Sequence, residues 1–214
     1  AFDNENYEQS VRLFEEVERQ HPYSRWASRA LLMAGYTAYL DNEYDIALGA
    51  LDRFIQLHPG NKDISYAYYL RALCFYEQIA DVQRDQTFAE DARDALGEVV
   101  RRFPDTDYAR DANLKIDLTN DHLAGKHMEV GRYYLRRGDW LAAINRFREV
   151  VQNFQTTTHV PEALHRLTES YLALGVVDEA RGAAAVLGHN FPGSDWYQDS
   201  YALLQGRSLA PDSS

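Results

Sequence analysis

Five short punctuations divide this chain, and they constrain its fold more than any other feature. His21-Pro22-Tyr23-Ser24, His58-Pro59-Gly60-Asn61, Phe103-Pro104-Asp105-Thr106, Phe154-Gln155-Thr156-Thr157 and Phe191-Pro192-Gly193-Ser194 each join an aromatic residue or histidine to turn-forming residues. Proline stands second in all but the fourth, and it stops a helix because it has no N–H and clashes with the preceding turn. The stretches between the punctuations share an apolar register. Tyr7, Ser10, Phe14 and Val17 recur as Tyr44, Ala47, Leu51 and Phe54, and again as Trp140, Ala143, Phe147 and Val150. The matching runs are Ala92, Leu96 and Val99 before the third turn, and Val177, Ala180, Ala184 and Leu187 in the last stretch. Helical spacing of this kind, with a small residue one turn from a large one, is what two packed helices require.

The turns lie 37, 45, 51 and 37 residues apart, against about 34 for a tetratricopeptide unit. The sequence therefore predicts an all-α, tetratricopeptide-repeat-like solenoid, a right-handed superhelix of about five helical hairpins and about ten helices. Leu31, Ala34 and Gly35 face the second helix of their hairpin, and Gly131 takes the place of Gly35 in the fourth unit. A mid-helix glycine costs about 1 kcal/mol relative to alanine, which suits a point of close helix approach. A lone hairpin cannot bury both faces, so units stack and the first helices line a concave side. Two units are longer. The polar stretch from Ala80 to Thr87 predicts a loop, and the region 108–137, without proline, predicts one long helix with a kink at Gly125. The expected organisation is N-terminal repeats over 1–106 and C-terminal repeats over 107–206, joined rigidly through that helix. Asp195 to Gln205 is expected to form a closing helix and 207–214 a disordered tail. Asn4-Glu5-Asn6-Tyr7 matches the turn Asp41-Asn42-Glu43-Tyr44, so the chain is expected to start at the end of a helix, in a truncated first repeat.

Charge and chemistry narrow the function. A net charge of −11 repels phosphate backbones and anionic lipid, which argues against nucleic acid and against membrane surfaces. The single cysteine, Cys74, sits among Leu70, Leu73 and Phe75 and reads as a buried hydrophobe, excluding a disulfide framework. No stretch reads as a signal peptide or membrane span, so the chain is expected to be cytosolic or to have lost a leader. His122 and His127 are off the i, i+4 spacing of a helical metal pair, and Asp81 and Asp85 lack the glycine and glutamate of a calcium loop. With no phosphate loop, serine elbow or activated thiol, the reading is a protein without catalytic residues, metal or cofactor. It is a scaffold that binds other proteins.

Two surfaces are candidates. Tyr66, Tyr69, Leu73 and Tyr76 share one helix face, and a shift of 37 lays them on Arg29, Leu32, Tyr36 and Tyr39. They are either core or the lining of a peptide groove, for which tyrosine suits by offering apolar area and a hydroxyl at small entropic cost. The second candidate is a basic island from Lys126 to Val151, in which Lys126, Arg132, Arg136, Arg137, Arg146 and Arg148 outnumber Glu129, Asp139 and Glu149. It is either a solvated face or a dock for an acidic partner. Arg132 and Arg136 project to the concave side in this register, while Arg146 and Arg148 lie on the second helix. Arg71 falls where Ala34 meets its partner helix, so it needs a counter-charge, expected from Asp81 or Asp85.

The run Tyr133-Tyr134-Leu135-Arg136-Arg137-Gly138-Asp139-Trp140-Leu141-Ala142-Ala143-Ile144-Asn145-Arg146 resembles the BamD family, lipoproteins of the bacterial outer-membrane β-barrel assembly machinery. So do Ala50 to Pro59, Tyr68 to Leu73, Arg84-Asp85 and the unequal turn spacings. The resemblance covers essentially the whole chain. It implies a scaffold on the periplasmic side of the outer membrane, held by an N-terminal lipid that these residues do not carry. It implies binding of the periplasmic domain of the insertase BamA through the C-terminal repeats, with Arg146 at the family's arginine, and association with other lipoproteins of the complex. It also implies that the N-terminal repeats receive C-terminal targeting strands of unfolded barrel proteins. The alternative is a generic tetratricopeptide adaptor for a peptide or helix of another partner.

Overall fold

The computed structural model describes residues 7–21, 24–79 and 87–208. Among them the chain forms ten α-helices and no strand. These are α1 (Tyr7–Gln20), α2 (Arg25–Leu40), α3 (Tyr44–Leu57), α4 (Ile64–Tyr76), α5 (Thr87–Arg102), α6 (Asp107–Arg137), α7 (Trp140–Asn153), α8 (Val160–Ala173), α9 (Val177–Asn190) and α10 (Asp195–Ser208). The chain divides into two compact units, 1–119 and 120–214, and the boundary falls inside α6.

The register read from the sequence reappears as hydrogen bonds. At all five punctuations the fourth residue, Ser24, Asn61, Thr106, Thr157 or Ser194, donates its N–H to the carbonyl of the first at 3.0–3.1 Å. The same residues supply caps, which satisfy helix-start N–H groups that have no partner within the helix. Ser24 Oγ accepts the N–H of Ala27, Thr106 Oγ1 that of Ala109 and Ser194 Oγ that of Trp196, each at 3.2 Å. The turns inside the hairpins follow a second rule. Glu43, Asp139 and Val176 donate back five residues to Ala38, Tyr134 and Tyr171 at 2.9–3.0 Å. Closing that bond needs a left-handed residue just before the donor. Asn42 (φ 61°), Gly138 (φ 77°) and Gly175 (φ 80°) provide it.

In the first unit Leu31, Leu51, Phe54, Leu70 and Cys74 build one apolar cluster, and Tyr68, Leu96, Val99 and Ala112 a second. Helix α2 approaches α3 through Gly35, where an added Cβ would lie 2.8 Å from Leu51 Cγ. Arg71 is paired, as its register position demands, by Asp52 of α3 at 3.5 Å and Glu98 of α5 at 3.9 Å. Asp81 and Asp85, the expected partners, lie outside the described residues with the rest of 80–86; Thr87, the last residue of the expected loop, instead begins α5.

In the second unit Leu123, Met128, Phe147, Val150, Leu164 and Leu187 are buried. Gly131 repeats the Gly35 contact, since a Cβ there would lie 2.5 Å from Phe147 Cε1. The long helix expected over 108–137 is α6, helical through Gly125. Gly125 leaves room for His159, whose Nε2 would stand 3.3 Å from an added Cβ. Asp121 of α6 accepts both the N–H (3.1 Å) and the hydroxyl (2.9 Å) of Thr158, fastening the turn before α8. Helix α10 continues past the expected end at Gln205 to Ser208, taking in the first two residues of the expected tail; 209–214 lie outside the described residues. It is held on α8 by buried His165, whose Nδ1 lies 2.9 Å from Ser200 Oγ and whose ring meets Trp196 at 5.2 Å. Burial, with Arg166 adjacent, pushes the His165 imidazole below its ordinary value of 6.5.

Glycines separate into two kinds, and substitution should distinguish them. Gly131→Ala is expected to lower stability by about 1–3 kcal/mol through overpacking against Phe147, whereas Gly49→Ala, where an added Cβ meets nothing within 4 Å, should raise it by up to about 1 kcal/mol. Urea melts of the two variants check the pair. His165 binds its proton less readily when folded than when unfolded. Its contribution is therefore complete above pH 6.5 and is lost as pH falls from there through the depressed folded value. Thermal melts across that window should show the decline, and His165→Gln should flatten it.

Candidate functional site

Three helices of the first unit bring tyrosines together. Tyr36 on α2 lies 6.5 Å from Tyr66 on α4, Tyr66 lies 5.6 Å from Tyr108 on α6, and Tyr108 stacks on Tyr69 of α4 at 5.2 Å and 29°. All four rings are half-buried. Tyr39 and Tyr76 complete the belt, Tyr39 donating to Glu77 at 3.4 Å and Tyr76 lying 5.1 Å beneath Lys115 Nζ. Tyr69 donates to Asp111, which also pairs with Lys115 at 3.3 Å. Three of the phenols, Tyr39, Tyr66 and Tyr69, are held in their neutral form. Burial, with Tyr36 and Tyr108 close by, pushes Tyr66 up to about 12; burial and then Glu77 push Tyr39 up to about 12. Burial and the Asp111 hydrogen bond raise Tyr69 as well. Conversely, the Tyr69 hydroxyl and Lys115 hold the Asp111 carboxyl below its ordinary value.

Five of the six residues predicted for a peptide groove, Tyr36, Tyr39, Tyr66, Tyr69 and Tyr76, thus fall within this belt. Arg29 is placed elsewhere, lining a largely apolar cleft of about 610 Å³ between α1 and α2 with Phe14, Val17, Trp26 and Met33. Tyr108, Asp111 and Lys115 were missed by the sequence reading. Counting eight residues on from each turn reaches Arg29, Tyr66 and then Asp111, so the register carried the signal for Asp111. The absent proline-to-proline regularity around α6 hid it.

The arginines of the second unit separate into bound and unbound. Arg132 pairs with Glu162 of α8 at 2.9 Å; Arg166 pairs with Glu162 at 3.5 Å and Glu169 at 2.9 Å, and covers Trp196 at 5.3 Å. Arg137 donates to the Tyr133 hydroxyl at 2.9 Å, lies over that ring and meets Asp139 at 3.4 Å. Arg136, Arg146 and Arg148 are exposed and carry no ion pair among the described residues. Arg146 lines a cleft of about 410 Å³ with His127, Tyr134, Asn145 and Glu149, while Arg148 lines a different one, of about 450 Å³, with Leu164, Leu167 and Tyr171. The two arginines of α7 therefore address separate hollows.

Among the described residues no group of three or more His, Cys, Asp and Glu side chains is gathered to hold a metal. Cys74 is buried, and burial pushes its thiol up to about 12, far from a reactive thiolate. No helix among the described residues is long and apolar enough to cross a membrane.

Successive helical hairpins of this kind define a tetratricopeptide-like repeat protein. The chain belongs to the YfiO family of outer membrane lipoproteins, whose model matches residues 1–187. It is 54% identical to the outer membrane protein assembly factor BamD of Caulobacter vibrioides, over 98% of this chain and 68% of that protein. Identity to the factor of the same name in Rickettsia prowazekii is 47%, over 95% and 81%; to that of Neisseria gonorrhoeae it is 36%, over 90% and 76%. Among solved structures it aligns with MamA (15% identity, 96% of this chain and 92% of that one, TM-score 0.35). It also aligns with a thermophilic tetratricopeptide protein of Thermus thermophilus (20%, 95% and 91%, 0.36).

Proposed function

We propose that this chain is a non-catalytic scaffold in the assembly of outer-membrane β-barrel proteins, working on the periplasmic side of that membrane. The observation that carries the reading is the division of labour between its two units. The first offers ring faces whose nearby charges are spent on one another; the second offers arginines on α7 left without intramolecular partners. Aromatic surface suits segments of an unfolded barrel protein, and free guanidinium groups suit a folded acidic surface. The client is therefore assigned to the tyrosine belt. The periplasmic domain of the insertase BamA is assigned to α7, with Arg146 as the anchor and Arg148 at a second, separate hollow; other lipoproteins of the complex share the scaffold. Relatives named as assembly factors at 54% and 47% identity support the setting. The mechanism is tethering. One chain that holds client and insertase raises the effective concentration of each near the other, without any bond being made or broken.

Arg146→Glu is expected to cost the insertase dock about 2 kcal/mol or more, as loss of an interface hot spot does, with helicity unchanged; retained co-purification with the insertase argues against this dock. Changing Tyr36, Tyr69 and Tyr76 together to alanine should weaken capture of a C-terminal barrel peptide by about tenfold or more, given about 0.5–1.5 kcal/mol per aromatic pair. Titration of a fluorescent peptide reads the change, and equal affinity in a folded triple variant removes the belt from the client's path.

A further inference from the structure

The tyrosine belt contains an ion pair that a simple aromatic groove does not need. Asp111 and Lys115 lie one turn apart on α6, 3.3 Å from each other, and both reach into the belt. The Asp111 carboxylate takes the Tyr69 hydroxyl, while the Lys115 ammonium stands 5.1 Å over the Tyr76 ring. One anion, one cation and two tyrosines thereby form a closed set. Its effect extends along the row, because Tyr69 stacks on Tyr108, which meets Tyr66, which meets Tyr36. Fixing the Tyr69 ring at the α6 end sets the plane against which the other three lie.

The same set determines what a ligand encounters. The hydroxyls of Tyr39 and Tyr69 are spent on Glu77 and Asp111. Those of Tyr36, Tyr66, Tyr76 and Tyr108 have no hydrogen-bond partner among the described residues and can donate to or accept from a peptide backbone. Asp111 and Lys115 cancel each other, so neither offers a counter-charge. Where the rings meet Asp111 and Lys115, a charged side chain laid across them loses water and finds both charges already paired, which is costly. An uncharged aromatic side chain loses little and gains stacking.

We propose that Asp111 and Lys115 are positioning and specificity-determining residues of the belt: they fix the ring row through Tyr69 and Tyr76 and select extended segments that are aromatic and uncharged where they touch it. This rests on the reading of the belt as the client's seat and adds the chemistry by which it chooses. The two arms also differ in character. The free arginines of α7 should bind with strong salt dependence and the belt with little.

The test uses the whole chain and three fluorescent decapeptides that alternate aromatic residues with serine, with two glutamates, or with two lysines. The wild type should prefer the serine peptide, its affinity changing little between about 0.05 and 0.5 M salt. Asp111→Ala should weaken that peptide about tenfold, the loss expected of one charge-assisted hydrogen bond. It should also shift preference toward the glutamate peptide in a salt-sensitive way, because Lys115 is released. Lys115→Met should shift preference toward the lysine peptide. Asp111→Asn, which can still accept from Tyr69, should restore the serine peptide while keeping the glutamate shift. Merely structural damage does not produce opposite preferences from neighbouring residues. Variants that fold, by circular dichroism, and keep wild-type affinity and preference overturn the proposal while leaving the belt in place. A wild type that binds none of the peptides overturns the belt reading itself, and this proposal with it. Should Asp111→Ala fail to fold, Tyr69→Phe tests the weakening of the serine peptide, Asp111→Asn the glutamate shift and Lys115→Met the lysine shift.

Discussion

Close approach of two helices at a glycine is the contact on which the rest of this molecule depends. Gly35 under Leu51 and Gly131 under Phe147 occupy the same place in their hairpins, and at each an added methyl would strike the large side chain opposite. Helix propensity opposes glycine there by about 1 kcal/mol. The gain is a short interhelix distance that lets Leu51 and Phe147 be wholly buried. A large buried side chain contributes about 1.5–3 kcal/mol, so the exchange favours the hairpin. Gly188 makes a third such contact in another form, with Tyr197 of α10 set against α9. Once the hairpins close in this way, the outward sides of α2, α4 and α6 are fixed, and the tyrosines on them meet.

Legibility in the sequence followed the physical strength of each signal. The turns were readable because proline, a left-handed glycine or asparagine, and a capping hydroxyl act locally, and their effect does not depend on distant residues. Hence the helices, the long α6 and the Gly35–Gly131 equivalence could be read directly. Burial of the tyrosines remained open, since a stripe of i, i+3, i+7 spacing is equally core or groove; only the neighbours on α2 and α6 decide that the rings are half-buried and mutually stacked. Ion pairing was the least readable. Arg71 clearly needed a counter-charge, yet its partners come from Asp52 and Glu98, nineteen and twenty-seven residues away in opposite directions. No local rule names them. Arg132 and Arg146 likewise look alike in sequence, and only the presence of Glu162 across from the first distinguishes them.

That last distinction is where function and stability separate. Surface charges in a helical repeat are cheap, and a single exposed pair contributes about 0–1 kcal/mol. Pairing Arg132 with Glu162, and Arg166 with Glu162 and Glu169, joins partly buried groups rather than an exposed pair; it also removes those cations from competition for an outside partner. An arginine whose carboxylate is already at 2.9 Å must break that contact before it can bind another. Arg146, with no such contact among the described residues, keeps its full capacity for a bidentate bond. Selective neutralisation of neighbours thus concentrates recognition on a few groups.

The belt applies the same principle with the opposite result. There two charges set against the rings, Asp111 and Lys115, are spent on each other, and Asp111 also takes the Tyr69 hydroxyl. In a chain of net charge −11, an aromatic surface without this arrangement lies in a negative field that repels acidic segments and attracts basic ones regardless of their aromatic content. Local cancellation confines the choice to shape and stacking, because a pair 3.3 Å apart presents a dipole whose influence fades faster with distance than that of a single charge. On the proposed reading, one acidic chain serves two unlike partners: a charged one where arginines stand free, and a neutral one where the charges have been closed off.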